Sequence, residues 1–147
     1  MVIESSRDPS AFSAFERDGW ETVSLGYDHH FARLTTQTVP ATLDAARVGE
    51  GTRLLDVCTG PGMLAAAALR RGAQVSAIDF SRNLIEIARR NVPGADFLQG
   101  DAQALPFEAE SFDAVVCGYG IIHVPEPKKA LSEMYCRSAK RRCRPLK

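Results

Sequence analysis

The sequence lacks several features that would place it in common functional classes. No apolar run approaches the roughly 18 residues of a membrane-spanning helix, and the first residues carry no charged and then apolar signal region. Lysine plus arginine equals aspartate plus glutamate at 18 each, so no net charge attracts nucleic acid or an anionic membrane. These absences predict a cytoplasmic protein that binds neither a membrane nor nucleic acid.

Cysteine and histidine clusters are also missing. The four cysteines are Cys58, Cys117, Cys136 and Cys143. They form no CxxC pair and have no histidine cluster nearby, which argues against a zinc site or a redox motif, and we expect Cys58 and Cys117 to be small buried apolar residues. His29 and His30, adjacent on a predicted helix, would point about 100 degrees apart and chelate poorly, so no metal site is predicted.

The composition that is present suits one ordinary domain, because 147 residues with 45% hydrophobic content can build a single core. Residues 1–50 have helical patterning, with Tyr27 and Phe31 on one face and Pro40 beginning a helix through Ala46. We therefore expect an N-terminal helical cap over 1–50, a partial α/β domain over 51–136, and a basic, disordered tail over 137–147.

Strand-like and helix-like stretches alternate from Arg53 to Val124, which favours a parallel sheet with crossover helices. The predicted strands are Arg53–Cys58, Gln74–Asp79, Ala95–Gln99 and Phe112–Cys117. The predicted helices between and after them are Met63–Arg71, Arg82–Asn91 with Ser81 as its N-cap, and Pro127–Tyr135. The strands are almost continuously apolar, as expected when helices cover both faces of the sheet.

The first strand ends in Asp56 and leads through a Gly60-x-Gly62 turn into a helix. Glycine allows main-chain N–H groups to approach a bound molecule, so the turn predicts a nucleotide-type cofactor site. This turn also fits the dinucleotide fingerprint of NAD enzymes, with Asp79 at the position of a ribose-binding acid.

Three acids, Asp56, Asp79 and Asp101, fall at successive strand ends, where open parallel sheets bind ligands. A buried Asp56 costs several kcal/mol unless a cation or N–H groups meet it, so either a positively charged ligand or a tight loop that needs an internal acceptor explains it. Asp79 has the structural alternative of starting the turn into the helix capped by Ser81, and Asp101 that of an Asx turn.

In combination these motifs resemble the class I S-adenosylmethionine-dependent methyltransferases, in particular the small-molecule branch similar to the ubiquinone and menaquinone biosynthesis enzymes. The resemblance covers roughly residues 20–136 and is carried by Asp56-x-x-x-Gly60-x-Gly62, Asp79, Gly100-Asp101-Ala102 and the strand 112–117. Cys58 stands where many members have another glycine, which loosens the first motif without removing the turn. The resemblance implies a Rossmann-like parallel sheet of order 3-2-1-4, S-adenosylmethionine as cofactor and methyl transfer to a small organic acceptor.

The resemblance also implies residue roles. Asp79 would accept both ribose hydroxyls, Asp101 and the N–H of Ala102 would meet the adenine, and Phe80 would pack beside the ribose or adenine. Further cofactor contacts are implied for Tyr27, Asp56, Thr59, Gly60, Gly62, Gln103 and Gly118. Methyl transfer from a sulfonium depends mostly on positioning, and a base is required only for a protonated acceptor. The candidate base is His123, with His29, His30 and Tyr27 as others, and the alternative is that His123 fixes its loop by backbone hydrogen bonds.

The resembling fold has about three more strands after the fourth, but here the last predicted helix leads into a basic segment. Residues 137–147 contain six lysines or arginines and no aromatic residue to stack bases, which disfavours a nucleic-acid-binding tail. Our hypothesis is a reading-frame shift near Cys136, since shifting one base in arginine codons for Arg141 and Arg142 yields two glycines. The fourth strand would then lie at a bare edge, which predicts self-association.

Three functions remain open from the sequence. The first is a methyltransferase whose missing wall comes from a partner, a second copy or the N-terminal helices. The second is a non-catalytic fragment that binds S-adenosylmethionine or its demethylated product. The third is part of an NAD-type oxidoreductase, which Asp56 and the Gly100-Asp101-Ala102 motif disfavour.

Overall fold

The computed structural model of the protein describes residues 8–139, except for the side chains of residues 23–34 within the first helix. The helices are α1 (Pro9–Thr36), α2 (Val39–Ala45), α3 (Met63–Arg70), α4 (Arg82–Asn91) and α5 (Pro127–Arg137), with a 3-10 helix at Gly120–His123. The strands are β1 (Arg53–Val57), β2 (Gln74–Asp79), β3 (Asp96–Gln99) and β4 (Ala114–Val116). No helix within the described part of the chain is long and apolar enough to cross a membrane.

The four strands form one parallel sheet in the order β3-β2-β1-β4, which confirms the predicted fold class. Leu54 and Leu55 are adjacent on β1 and point to opposite faces, and both are fully buried. Leu54 packs in a cluster with residues of α2, α3 and α4, whereas Leu55 packs in a second cluster that includes Ala130 of α5. Helices therefore cover both faces of the sheet, as its apolar strands predict.

Local signals explain the elements that match the prediction most closely. Ser81 caps α4, because its hydroxyl accepts a hydrogen bond from the Leu84 N–H at 3.3 Å, and the helix has the predicted bounds. α3 ends at Arg70, one residue earlier than predicted, and Gly72 follows with a φ of 82°. This left-handed conformation suits a glycine after a helix.

Strand β4 is shorter than the predicted Phe112–Cys117, because Phe112 pairs with the segment that follows α5. The Phe112 N–H donates to the Arg137 carbonyl at 3.0 Å, and the Ala139 N–H donates to the Phe112 carbonyl at 2.7 Å. α5 extends two residues beyond the predicted Tyr135, to Arg137, whose guanidinium is held by Glu133 at 2.8 Å. The start of the predicted bare edge is thus covered.

Two groups of predictions fall outside what the structure describes. The side chains of Tyr27, His29 and His30 belong to the excluded part of α1, and residues 140–147 hold most of the predicted basic tail. The proposed division into segments 1–50, 51–136 and 137–147 stays a prediction.

Candidate functional site

A single cleft opens at the carboxyl ends of the strands and brings together most of the residues predicted to bind a cofactor. The predicted residues that line it are Asp56, Thr59, Gly60, Asp79, Phe80, Asp101, Ala102, Gln103, Gly118 and His123. Parallel order explains this convergence, because every strand ends at the same edge of the sheet.

The Asp79 carboxylate organises the glycine turn at the centre of the cleft. The Gly60 N–H donates to Oδ2 at 2.8 Å, and the Ser81 N–H donates to Oδ1 at 3.0 Å. The structural role of Asp79 as a turn acceptor is therefore present. Burial raises the pKa of this carboxyl, and the backbone N–H groups oppose that rise. Each carboxylate oxygen can accept about two hydrogen bonds, so the group retains capacity for a ligand.

Asp56 lies beneath the turn and is almost fully buried, with 1% of its surface exposed. The Thr59 hydroxyl donates to Asp56 Oδ2 at 2.7 Å, which supports the interpretation that a tight loop needs this internal acceptor. Burial raises the pKa of Asp56 to about 7, although the Thr59 hydrogen bond favours the charged form.

The raised pKa of Asp56 predicts a pH-dependent loss of stability. The folded state holds the proton up to about pH 7, whereas an unfolded aspartate loses it near pH 4. The protonated Asp56 carboxyl therefore makes its full contribution to the stability of the folded state below about pH 4, and this contribution is lost as the pH rises to about 7. As the pH rises from 4 to 8, we expect the free energy of unfolding of Asp56→Asn to increase by on the order of 2–4 kcal/mol relative to that of wild type, measured by denaturant unfolding. A constant difference across this range would contradict the burial of an ionisable Asp56.

Asp101 lies at the cleft rim and is oriented by Gln103. The Gln103 N–H donates to Asp101 Oδ1 at 2.8 Å, and its side-chain amide lies 3.1 Å from both carboxylate oxygens. The Glu126 N–H in turn donates to the Gln103 carbonyl oxygen at 3.0 Å. The Asx turn weighed from the sequence is therefore present, and it fixes an exposed acid at the opening of the cleft.

Two residues of the first motif differ from expectation. Gly62 does not line the cleft: a Cβ there would lie 3.1 Å from Val92 and 3.3 Å from Phe97, so glycine is needed for packing under α4 and for a φ of 88°. Cys58 is half-buried rather than buried, lines the cleft and has a φ of 57°. This left-handed conformation explains why glycine suits that position better.

Helix α1 adds side chains that the sequence did not identify as part of the site. Glu16 Oε2 lies 2.8 Å from His123 Nδ1 and accepts a hydrogen bond from the Trp20 indole at 3.2 Å. The Trp20 and His123 rings meet edge to face at 5.0 Å. His123 is thus held by a carboxylate and an aromatic ring of α1. The spacing of Glu16 and Trp20, four apart on one helix, is the sequence signal that they share a face.

Helix α1 also reaches the opposite side of the cleft through Glu21. The Arg82 N–H donates to Glu21 Oε1 at 2.8 Å, and the Ser81 hydroxyl donates to the same oxygen at 3.2 Å. Contacts at both sides place Trp20 and Arg17 in the lining of the cleft between them. α1 therefore forms its roof.

The parallel sheet, the glycine turn and the acids at adjacent strand ends define an α/β domain of the nucleotide-cofactor-binding class. Residues 55–140 match a family model described as a methyltransferase domain, which is more than half of the chain. The protein belongs to this family and is a member of the class I S-adenosylmethionine-dependent methyltransferases. S-adenosylmethionine is the cofactor that this membership indicates.

Several relatives of this chain are demethylmenaquinone methyltransferases. The chain is 40% identical over 114 residues to that of Renibacterium salmoninarum, an alignment that covers 78% of this chain and 45% of the relative. It is 38% identical over 141 residues to that of Clavibacter sepedonicus, covering 91% and 56%. The chain thus spans about half the length of these relatives.

Solved structures show the same fold. A putative methyltransferase from Bacillus halodurans matches with a TM-score of 0.65 and 29% identity over 71% of this chain and 47% of its own. Magnesium protoporphyrin IX methyltransferase from Synechocystis, solved with bound S-adenosylmethionine, matches with a TM-score of 0.71 over 86% of this chain and 72% of its own. Its 16% identity supports the fold alone. The comparisons give no support to an NAD-type oxidoreductase.

Proposed function

We propose that the cleft binds S-adenosylmethionine and that the protein transfers its methyl group to a small organic acceptor. The observation that carries the proposal is the convergence of the Gly60 turn, Asp79 and Asp101 on one cleft. Asp79 is the last residue of β2, where a carboxylate would accept the two ribose hydroxyls. Asp101 follows the end of β3 by two residues, where it would accept from the adenine amine. Phe80 and Ala102 would pack against the same adenosyl group.

In this proposal the cleft contributes to the reaction mainly by positioning the cofactor and the acceptor. The bound sulfonium supplies its own leaving group, and the residues of this chain have to align the methyl carbon with the acceptor and exclude water. Trp20 and the other side chains of α1 that roof the cleft serve this exclusion. The names of the relatives make a demethylmenaquinone-type quinol the first acceptor to assay.

Calorimetry tests cofactor binding, and a methyl-release assay tests turnover. We expect the protein to bind S-adenosylmethionine and its demethylated product and not NAD. Binding of NAD alone would overturn the proposal. Cofactor binding with no methyl release to any quinol tested would instead support the non-catalytic, cofactor-binding alternative.

We propose His123 as the base for an acceptor that must lose a proton, with Glu16 as the residue that positions it. The Glu16 carboxylate at Nδ1 favours the tautomer whose Nε2 is free to accept a proton. We expect His123→Gln to lower kcat by about 100-fold, the lower end of general-base effects, without changing cofactor affinity. Glu16→Gln should lower kcat less and shift the acidic limb of the kcat–pH profile, because a base acts only in its unprotonated form.

A matched control for this pair is His123→Asn, which removes the base but keeps a hydrogen-bonding nitrogen near Glu16. If both His123 variants had the kcat of wild type, His123 would not be the base. If Glu16→Gln left the pH profile unchanged, Glu16 would have no role in positioning His123. Calorimetry on each variant separates these results from lost cofactor binding.

We also propose that the protein self-associates through the edge of β4. Pairing of Phe112 with the segment after α5 covers only the start of this edge, while Ala114–Val116 pairs with β1 on one side. An apolar strand edge is a site for pairing with another chain. Size-exclusion chromatography with light scattering should show a dimer or larger species, and a monomer at working concentration would refute self-association.

The location in the cytoplasm stays a prediction.

A further inference from the structure

A second, open groove lies between α1 and the 3-10 helix that carries His123. It is lined by Phe15, Glu16, Gly19, Trp20 and His123. Trp20 and His123 also line the cofactor cleft, so the groove and the cleft adjoin at these two rings. Because 34% of the His123 side chain is exposed, a ligand can reach this ring.

The groove offers a ligand mainly apolar surface. The Glu16 carboxylate is held by His123 Nδ1 at 2.8 Å and by the Trp20 indole N–H at 3.2 Å. These three side chains therefore direct polar atoms at one another. Phe15 adds a ring that is 73% exposed. A hydrocarbon gains from covering such a surface, whereas a polar group would lose its hydration there.

Exposed apolar side chains also mark both sides of the groove. Phe15 belongs to α1, and Ile122, which is 74% exposed, directly precedes His123 in the 3-10 helix. No other large apolar side chain of the described residues is exposed to this extent. Exposed apolar surface beside a cleft is typical of a binding region rather than of a core.

Gly19 keeps the groove open in the middle of α1. Glycine is the least favourable residue after proline in the interior of a helix. Neither the backbone nor the packing requires it here, because Gly19 has no positive φ and an added Cβ would meet nothing within 4 Å. The space that a side chain would take at this position is the space of the groove itself.

We propose that this groove binds a hydrocarbon chain carried by the methyl acceptor. The reacting atom of the acceptor lies at His123 on the cleft side, and its chain lies across Gly19 and against the ring of Phe15. Gly19 is a specificity-determining residue, because a longer side chain there would occupy the path of the chain. This assignment rests on the proposed function, which places the acceptor beside His123.

The test uses the single tryptophan of the chain, Trp20, which lines the groove. The full-length protein is titrated under reducing conditions with 1,4-naphthoquinol and with 2-decyl-1,4-naphthoquinol, and the fluorescence of Trp20 reports binding. We expect the decyl compound to bind at least about 10-fold more tightly, a gain that about two buried methylene groups supply. Equal affinities of the two compounds would overturn the assignment.

Gly19→Gln is the decisive variant, because its side chain fills the groove with polar atoms. It should reduce the preference for the decyl compound to about 2-fold or less and leave the affinity for 1,4-naphthoquinol unchanged. Phe15→Ala should reduce the same preference by a smaller factor. Ala14→Gln is the matched control, since Ala14 is exposed on the same helix and lines neither the groove nor the cleft. Its preference should equal that of wild type.

Two results would assign the groove differently. A preference that persists in Gly19→Gln would overturn the chain site. If that variant also lost self-association in light scattering, the groove would be a contact between copies of the chain. Calorimetry with S-adenosylmethionine keeps this test separate from the proposed function. If wild type binds no cofactor, the proposed function fails, whereas the two naphthoquinols still decide whether the groove binds a hydrocarbon.

Discussion

Replacing Asp79 with asparagine is expected to weaken S-adenosylmethionine binding by about 100-fold or more. Two ribose hydroxyls that donate to a carboxylate contribute about 1.5–3 kcal/mol each, and 1.4 kcal/mol corresponds to a factor of 10. An asparagine also turns one acceptor into an N–H donor, which opposes the Gly60 or Ser81 N–H that now donates to this side chain. Calorimetry with the cofactor measures the loss.

Asp96→Asn is the matched control, because Asp96 is exposed at the amino end of β3, away from the cleft. Its cofactor affinity should equal that of wild type. The cofactor affinity of Asp101→Asn should fall between those of Asp79→Asn and Asp96→Asn, since this exposed acid would make one contact with the adenine. Wild-type affinity in Asp79→Asn would show that Asp79 serves the turn alone, and thermal unfolding of each variant identifies any loss due to misfolding.

The sequence predicted the central fold well where local chemistry and burial agree. β2 and α4 have the predicted bounds, because Ser81 provides an N-cap for the helix and the second half of the strand is buried on both faces. β4 was predicted too long at its start, where Phe112 pairs with Ser138, more than twenty residues further along the chain. Apolar composition indicates a strand but does not reveal which neighbour pairs with each residue.

Part of the candidate site could also be predicted from the sequence. Asp56, Asp79 and Asp101 were identified because parallel strands bring their carboxyl ends together. The contact between Glu16 and His123 joins residues 107 positions apart, and its formation depends on how α1 packs over the sheet. Nothing local to Glu16 specifies that contact. Cys58 was expected in the core because a residue type indicates apolar character and does not reveal a left-handed backbone.

The contact between Gly120 and Cys58 predicts a large effect on stability. A Cβ at Gly120 would overlap the Cβ of Cys58 and lie 2.9 Å from its sulfur, a distance at which atoms must shift. Cys58 directly follows β1 and Gly120 begins the 3-10 helix, so a shift of the backbone at Cys58 would disturb adjacent hydrogen bonds such as that from the Thr59 N–H to the Ile78 carbonyl. We expect Gly120→Ala to lower the free energy of unfolding by about 2–3 kcal/mol, measured by urea denaturation.

A second substitution shows whether this contact is the cause. Cys58→Gly removes both side-chain atoms that the new methyl group would meet and also relieves the left-handed φ of 57°. Gly120→Ala should therefore cost much less in the Cys58→Gly background, with a coupling energy of at least about 1 kcal/mol. Gly49→Ala is the control, because a Cβ there meets nothing within 4 Å, and its effect should stay within about 0.5 kcal/mol. Equal losses in both backgrounds would mean that Gly120 is required for its own backbone, whereas rescue would mean that a side chain at position 58 is tolerated only opposite a glycine at 120.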